Sequence, residues 1–197
     1  MGKRMPFDEA FLREIAKQIR TRDYPLVTID GPCASGKTTL AERLAEMLQA
    51  AVVHTDDYVI PHARKTADRL AIPGGNCDAE RLLEEVVAPW KNRRPVRMRR
   101  YDCKADLLLP EELLPEKEVL ILEGCYCNLP LIRQAADLRI FLDITREEQR
   151  ARLLKRETPE SVKRFYDLWI PLEEAYFTAF QLPDAGCVVF SGQTGRI

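Results

Sequence analysis

Five short apolar runs along the chain have the length and composition of buried β-strands. They occupy residues 24–30, 51–55, 117–124, 138–143 and 187–191. Aliphatic and β-branched side chains dominate these runs, which is typical of parallel strands buried on both faces. Helical patterns fall between most of the runs, so the order predicts βαβ units with right-handed crossovers. We therefore expect an α/β fold built on a parallel sheet in three layers.

The N-terminal segment, residues 1–23, places apolar residues on one face of a helix that leads into the first strand. These residues are Phe7, Phe11, Leu12, Ile15 and Ile19. Further helices are predicted at residues 39–50, 78–90, 146–156 and 165–180. Asp78 is a residue type that begins helices, and Pro171 is expected to kink or divide the last helix.

Chain length indicates the number of domains, and net charge indicates which kinds of partner to expect. The 197 residues carry a formal net charge of −1, and no Ser/Gly-rich linker marks a boundary, so we predict one domain over residues 1–197. A nearly neutral chain has no general attraction to nucleic acid or to an anionic membrane. Residues 91–100 (KNRRPVRMRR) are a local exception. We interpret them as a solvated charged connection, with a phosphate- or nucleic-acid-binding patch as the alternative.

The N-terminal residues and the cysteines indicate in which cellular compartment the protein is expected. The first residues lack an apolar segment of the kind found in signal peptides, and no apolar run is long enough to span a membrane. The six cysteines are scattered without paired C-x-x-C motifs, so they do not predict a zinc site. We expect a cytoplasmic protein with reduced thiols and a small-molecule partner, and the sequence leaves a homo-oligomer open.

Residues 31–38 (GPCASGKT) form a complete G-x-x-x-x-G-K-[ST] phosphate-binding motif between a predicted strand and a predicted helix. The glycines let successive backbone N–H groups point inwards, and the helix N-terminus adds its positive dipole end. The motif predicts that Lys37 reaches the β- and γ-phosphates of a nucleotide and that the Thr38 hydroxyl contacts Mg²⁺. The residues assigned to nucleotide binding are Gly31, Ala34, Ser35, Gly36, Lys37, Thr38 and Thr39.

Acidic residues follow the second predicted strand and end the third. Asp56 and Asp57 follow the second, and Glu123 ends the third, where ligands gather in α/β sheets. Phosphoryl transfer needs Mg²⁺, positive charge and a group that orients the acceptor hydroxyl. One of the two aspartates is the candidate base and metal neighbour, with turn capping as the alternative. Because burying an unpaired charge is costly, we interpret Glu123 as a metal-site residue.

Two further sets of residues favour structural roles. His54 lies within the second strand, and we interpret it as a core residue whose ring is hydrogen-bonded. The aromatic residues near the C-terminus are interpreted as core packing rather than as a site that stacks on a base. They are Phe165, Tyr166, Trp169, Tyr176, Phe177 and Phe180.

An ordered set of motifs resembles the uridine kinase and phosphoribulokinase family of P-loop kinases. The motifs are GPCASGKTT, HTDDY, GGNCDAERL, RRYDC, ILEGCY, an arginine-rich helix and WIPLEEAYF, between about Tyr24 and Ser191. The resemblance implies a three-layer P-loop kinase fold with a five-stranded parallel sheet and helices on both faces. It also implies ATP as the phosphate donor.

The resemblance implies roles for the acidic residues. Asp56 would be the base for the acceptor hydroxyl, and Asp57 would be a secondary residue at the acceptor. The residues Thr38, Asp56 and Glu123 would surround Mg²⁺ directly or through water. Asp78 matches the residue that holds ribose hydroxyls in family members that phosphorylate nucleosides.

The same resemblance implies an acceptor pocket and a lid. Tyr101 and Asp102 match the pair that lines the acceptor pocket. Residues from about 145 to 165 would form a lid that brings cations to the transferring phosphate. These cations are Arg150, Lys155, Arg156 and Arg164, of which Arg156 is assigned to catalysis and Arg164 to the substrate.

Two departures from the family pattern limit the substrate. Members that act on uridine or cytidine have a histidine soon after the Tyr-Asp pair, whereas this chain has YDCKAD with Asp106 near that place. The segment KRETPESVKRF also lacks the R-D-x-x-x-R-G pattern of the family lid. We expect an ATP- and Mg²⁺-dependent kinase of a nucleoside or ribose-like hydroxyl compound, with uridine and cytidine as weak acceptors. The alternatives are a P-loop ATPase or nucleotide switch that regulates a partner, and a kinase of a non-nucleoside metabolite.

Overall fold

The computed structural model of the protein describes residues 8–191 and 194–195, so Phe7 of the predicted N-terminal helix lies outside it. The strands are β1 Leu26–Asp30, β2 Ala51–His54, β3 Arg97–Met98, β4 Tyr101–Asp102, β5 Leu107–Leu108, β6 Glu112–Leu113, β7 Leu120–Glu123, β8 Leu138–Asp143, β9 Cys187–Ser191 and β10 Thr194–Gly195. The main sheet has the order β10-β9-β8-β1-β7-β2. Five of its strands are parallel and β10 is antiparallel, which confirms the predicted parallel sheet.

Helical segments connect the strands. The α-helices are α1 Glu9–Arg20, α2 Lys37–Leu48, α3 Ala67–Ala71, α4 Ala79–Leu82, α5 Ala88–Lys91, α6 Pro130–Arg133, α7 Arg146–Arg156, α8 Pro159–Arg164 and α9 Ile170–Ala179. Thr55–Tyr58 and His62–Arg64 are 3₁₀ turns, and Leu83–Val87 and Phe165–Trp169 are π-helical turns.

Alternating side chains of the central strands feed two apolar clusters. Leu26 of β1 packs in one cluster with residues of the helical segment 79–91 and of α9, whereas Val27 and Ile29 pack in the other with α1 and α2. This alternation is the period of a β-strand, and here both faces are covered. The fold therefore has the expected three layers.

Both π-helical turns lie just before a proline. The segment Leu83–Val87 precedes Pro89, and Phe165–Trp169 precedes Pro171. A proline has no N–H and its ring collides with the carbonyl four residues earlier, and a wider turn accommodates both effects. Pro171 therefore locally widens a helical segment that continues from Pro159 to Ala179.

The basic residues of segment 91–100 face acidic side chains. The ion pairs are Lys91–Asp137, Arg93–Asp23, Arg97–Glu111, Arg99–Glu85 and Arg100–Glu112. This pairing offsets most of the local positive charge, which supports the interpretation of a charged connection. Within the described ranges, no helix is both long and apolar enough to cross a membrane.

The parallel register brings the carboxyl ends of three strands side by side. Ile29 of β1 is opposite Glu123 of β7, and Glu123 is opposite His54 of β2. The residues that follow β1 and β2, and the residue that ends β7, therefore lie at one edge of the sheet.

Candidate active site

The phosphate-binding motif forms a loop, residues 31–36, between β1 and α2. Gly31 has a φ of 137°, and a Cβ atom there would lie 2.1 Å from the carbonyl oxygen of Leu142. Gly36 has a φ of 105° and directly precedes the first turn of α2. Both conformations favour glycine. The loop therefore curls against β8 and leads into the N-terminus of α2, where backbone N–H groups lack helical partners.

Lys37 is the first residue of α2 and lies half-buried over this loop. Its Nζ donates to the carbonyl oxygens of Gly31 at 2.8 Å and Pro32 at 2.9 Å. Burial by itself would lower the pKa of Lys37, but surrounding acidic groups, Glu173 foremost, raise it above its ordinary value. The ammonium therefore stays charged. Beside it, Ser35 Oγ is buried and has no hydrogen-bond partner in the described part of the chain.

A buried carboxylate, that of Asp30, holds the start of the loop by hydrogen bonds. Asp30, the last residue of β1, accepts hydrogen bonds from the Gly31 N–H at 2.7 Å, the Asn128 N–H at 3.0 Å and the Tyr176 hydroxyl at 2.7 Å. Burial raises the pKa of Asp30, although these donors act in the opposite direction. The network joins β1, the segment after β7 and α9 beneath the loop.

Two side chains from distant helices hold the outer part of the loop. The Cys33 N–H donates to Glu173 Oε2 of α9 at 2.9 Å. Arg152 of α7 donates to the carbonyl oxygens of Ala34 and Ser35, both at 3.0 Å. Burial raises the pKa of Glu173, and Lys37 opposes that rise. The loop conformation is therefore supported by tertiary contacts as well as by its own sequence.

Glu123 forms a compact polar cluster with Thr38 and His54. Its Oε1 accepts from the Thr38 hydroxyl at 3.1 Å and lies 2.5 Å from His54 Nδ1. The hydrogen bond to Glu123 raises the pKa of His54. The His54 side chain is 43% exposed, so its interpretation as a core residue is wrong, whereas its predicted hydrogen bond is present. No group of three or more His, Cys, Asp or Glu side chains could hold a metal ion within the described ranges.

The 3₁₀ turn after β2 separates the two predicted aspartates. Asp56 is exposed and lines the large cavity described below, whereas Asp57 is half-buried outside that lining, where burial raises its pKa. The turn is anchored by Thr55, whose hydroxyl donates to the Cys125 carbonyl at 2.8 Å. A Cβ atom on Gly124 would lie 2.0 Å from that hydroxyl oxygen. Glycine at this position lets the turn that carries Asp56 pack against the end of β7.

A cavity of about 820 Å³ opens above these residues. Some lining residues belong to the phosphate-binding loop, to the start of α2 or to side chains bonded to them. We name this group the loop end: Ala34, Gly36, Lys37, Thr38, Thr39, Glu123 and Arg152. A second group, which we name the acceptor end after the role that the sequence predicts for Asp56, comprises Asp56, Lys65, Asn76, Cys103, Lys104, Arg164 and Trp169. A volume of this size is ordinary for a ligand site.

Asp78 lies outside this cavity. It is buried, with Oδ2 3.1 Å from Arg64 Nη1 and 3.6 Å from Arg81 Nε, and it lines a separate cavity of about 340 Å³. Its side chain makes no capping hydrogen bond although it holds the N-cap position of α4. Asn76, two residues earlier, lines the large cavity and has a buried Oδ1 without a hydrogen-bond partner among the described atoms.

Tyr101 and Asp102 form part of a small hairpin beside the cavity. The Tyr101 hydroxyl donates to Asp106, which also accepts from the His62 N–H at 2.9 Å. Asp102 accepts from the backbone N–H groups of residues 104 and 105 at 2.8 and 3.0 Å, and these bonds lower its pKa. Both predicted acceptor residues are therefore engaged in shaping the hairpin, and neither lines the large cavity.

The predicted lid segment corresponds to α7 and α8. Of its four predicted cations, Arg156 and Arg164 line the large cavity, while Arg150 and Lys155 lie outside its lining. The Arg156 guanidinium bonds Glu157 Oε1 at 2.7 Å. Arg152, which was not predicted, lines the cavity as well.

The aromatic residues near the C-terminus divide between core and cavity. Tyr176 is fully buried, and Phe177 and Phe180 pack against the same cluster, so core packing is confirmed for these three. Phe165 and Trp169 instead line the large cavity. Phe165 also packs against the small cluster of Cys33, Leu153 and Ile170, so the core interpretation holds for it in part. The interpretation is wrong for Trp169, which lines the cavity, and for Tyr166, which is exposed.

Several residues at the site were not predicted: Asp30, Lys65, Asn76, Arg152 and Glu173. Asp30 ends an apolar strand as Glu123 does, and the same argument about the cost of a buried charge applies to it. For Lys65 and Arg152 the sequence carries no such signal, because their location depends on how distant segments fold together.

Known proteins provide an independent comparison. The model of the Phosphoribulokinase / Uridine kinase family matches residues 26–168, which is most of the chain. No curated protein matches the chain in sequence.

Solved structures of similar fold include kinases from bacteria and yeast. A possible uridine kinase from Bacillus stearothermophilus superposes with a TM-score of 0.70 at 20% identity, covering 91% of this chain and 96% of that one. A candidate fructose transport system kinase from Silicibacter sp. gives 0.66 at 21% identity, covering 96% and 100%. A candidate P-loop kinase from Saccharomyces cerevisiae, with a circular permutation, gives 0.64 at 12% identity, covering 92% and 98%. At these identities the likeness concerns the fold.

Proposed function

The chain belongs to the phosphoribulokinase/uridine kinase family of P-loop kinases, and on that basis we propose a specific reaction for it. The protein transfers the γ-phosphate of ATP, with Mg²⁺, to a hydroxyl of a small nucleoside or ribose-like acceptor. The observation that carries the proposal is the large cavity, whose lining includes Lys37 and Thr38 of the loop end together with Asp56 and Asn76 of the acceptor end.

The residues present fit a nucleotide at the loop end. Gly31 and Gly36 both have positive φ angles, and neither places a side chain in the loop. The N-terminus of α2 follows Gly36 directly. The buried Ser35 Oγ lacks a partner in the described ranges, and Lys37 stays charged. Backbone N–H groups, a dipole end and a permanent cation are the elements that hold polyphosphate.

The residues also fit Mg²⁺. Thr38, Glu123 and Asp56 supply hydroxyl and carboxylate oxygens, the ligand type that Mg²⁺ prefers. In nucleotide sites Mg²⁺ keeps several waters and uses few protein ligands, which agrees with the lack of an all-protein cage among the described residues. When bound, Mg²⁺ would offset the negative charge of the phosphates.

The chain's own residues then perform orientation and proton transfer. Asp56 faces the cavity and takes the proton of the acceptor hydroxyl as its oxygen attacks the phosphoryl group. Lys37 stabilises the charge that develops on the transferring group. Arg156 of α7 lines the same cavity and adds positive charge from the lid side.

Acceptor-dependent formation of ADP tests this proposal. The purified protein is incubated with ATP, Mg²⁺ and a panel of nucleosides, vitamins and sugar derivatives, and products are identified by mass. We expect at least one acceptor to raise ADP formation while free phosphate stays flat. ADP and free phosphate that rise together without any acceptor would instead favour the ATPase or nucleotide switch.

A further inference from the structure

Two cations converge on one aromatic side chain at the acceptor end of the large cavity. Lys65 Nζ lies 5.7 Å from the centre of the Trp169 ring, and the Arg164 guanidinium carbon lies 5.3 Å from it. All three residues line the cavity. They come from separate parts of the chain: the segment after the second 3₁₀ turn, α8 and the π-helical turn.

Neither cation has an acidic partner among the residues that the structure describes. Most other described cations do, including Lys163, which pairs with Asp167 one turn along the same helix as Arg164. Burial and the neighbouring Arg164 lower the pKa of Lys65. The arrangement is therefore unfavourable by itself and would be relieved by a bound anion.

Asp106, the carboxylate that acts on Lys65, already has other hydrogen-bond partners. Asp106 accepts from the Tyr101 hydroxyl and the His62 N–H, and it lies 3.6 Å from His62 Nδ1. Lys65 has Arg164, Asp106 and the Cys103 thiol as its charged or titratable neighbours, and none of these belongs to the loop end. Lys37 and Arg152 at the loop end are instead hydrogen-bonded to carbonyl oxygens of the loop.

The geometry points to an acceptor that carries a carboxylate or phosphate group, bound by Lys65 and Arg164, in addition to the hydroxyl that is phosphorylated. This inference rests on the proposed function, and it names the substrate class for the same cavity. Cys103 lies near both Asp56 and Lys65, so one small molecule could place its hydroxyl at Asp56 and its anionic group at Lys65.

Charge-assisted hydrogen bonds would give the pair its selectivity. Such bonds are shorter and about twice as strong as neutral ones, and the arginine fork suits both carboxylate and phosphate. The Trp169 face holds both cations in place through cation–π attraction. We expect an anionic acceptor to exceed its neutral counterpart by about 10- to 100-fold in kcat/KM, since a bond to a charged group contributes a net free energy in that range.

Matched acceptors and matched variants test the inference. Ribose is neutral, ribonate carries a carboxylate at C1, and ribose 5-phosphate carries a phosphate at C5, so the three separate a neutral acceptor from a carboxylate and from a phosphate. Lys65→Met should raise the KM for the preferred anionic acceptor about 10-fold or more and leave the KM for ATP unchanged. Lys65→Arg should retain most of the affinity. Lys163→Met, which removes a nearby outward-facing charge, should resemble the wild type.

A binding measurement keeps this result separate from the proposed function. With saturating ADP to occupy the phosphate loop, ribonate or ribose 5-phosphate should quench the fluorescence of Trp169, and Trp169→Phe should abolish that change. If anions quench Trp169 but no acceptor yields ADP, the anion site is supported and the kinase proposal fails.

Other outcomes overturn the inference. Equal kcat/KM for ribose and both anions, or equal behaviour of Lys65→Met and Lys163→Met, would show that the pair does not select the acceptor. A raised KM for ATP alone in Lys65→Met would assign the pair to the donor. If neither anion quenches Trp169 while circular dichroism shows a folded protein, the pair does not bind an anionic acceptor.

Discussion

The two ends of the large cavity differ in how their charged side chains are satisfied. At the loop end Lys37 bonds two loop carbonyls, Arg152 bonds two more, and Glu123 bonds Thr38 and His54. At the acceptor end Lys65 and Arg164 lie over the Trp169 ring and form no ion pair within the described ranges. Under the proposed function, the end that would hold the nucleotide is preorganised, and positive charge is left available at the end that would hold the acceptor.

We expect the largest loss of activity from a change at Asp56, the acceptor-end residue that we propose as the base. Asp56→Asn keeps the shape of the side chain but removes its charge and basicity. We expect turnover to fall by about 10²- to 10⁴-fold while ATP binding is retained. Steady-state kinetics together with calorimetric titration of ATP would measure both.

Asp57→Asn is the matched control for this substitution. Asp57 lies next in the chain but outside the cavity lining, so its replacement should have a much smaller effect on turnover. If Asp57→Asn were the crippling change and Asp56→Asn the mild one, the roles that we assign within the pair would be reversed.

Removal of the loop-end cation should have the next largest effect. Lys37→Ala deletes a charge that accompanies the transferring phosphoryl group, and we expect turnover to fall on the order of 10²-fold or more. The KM for the acceptor should change little, because Lys37 bonds only the loop. Near-normal turnover of Lys37→Ala on the preferred acceptor would rule out the kinase proposal.

The two ends also differ in how well the sequence predicts them. The loop end follows from a contiguous motif, since residues 31–38 determine a local backbone conformation between one strand and one helix. The acidic strand ends were predictable as well, because parallel strands place Glu123 and the start of the turn with Asp56 at one edge. Family resemblance and buried-strand patterns together therefore predicted the sheet and its layers.

The acceptor end depends on tertiary packing that no local pattern encodes. Lys65 lies in an irregular segment, and Trp169, which lines the cavity, lies in a π-helical turn ahead of Pro171. Asp78 matched a family motif, yet its carboxylate pairs with Arg64, whose position the sequence did not reveal. For these residues, the surroundings depend on which distant residues they contact, and their own identity does not predict those contacts.

Two tyrosine substitutions compare how much buried and exposed hydrogen bonds contribute to the free energy of unfolding. Tyr176→Phe removes a donor from the fully buried Asp30, and we expect the free energy of unfolding to fall by about 1–3 kcal/mol. Tyr101→Phe removes a donor from Asp106, which water can reach, so its effect should be smaller. Urea denaturation of both variants at pH 7 would compare them.

Exposed Tyr166→Phe serves as the control for these two substitutions and should leave stability unchanged. Equal losses in Tyr176→Phe and Tyr101→Phe would contradict the idea that the network beneath the loop is drier than the hairpin beside the acceptor end.

The smallest expected effect is a pH dependence in the hairpin that contains Tyr101, beside the acceptor end. Burial and Asp106 raise the pKa of Tyr101 to about 12, so its hydroxyl stays protonated and donates. That hydrogen bond, followed by the one from His62, lowers the pKa of Asp106 below its ordinary value. A carboxyl with a depressed folded-state pKa stabilises the fold above its unfolded pKa of about 3.9, and this contribution is lost as pH falls through the folded value.

Tyr101→Phe removes the leading cause of that depression, so the Asp106 pKa should move back up towards its ordinary value. The stability difference between wild type and Tyr101→Phe should therefore be fully present above about pH 5 and shrink as pH falls below about 4. Urea midpoints measured across this range would show it. A difference that stays constant down to pH 3 would mean that the Tyr101 hydroxyl stabilises the hairpin independently of the Asp106 charge.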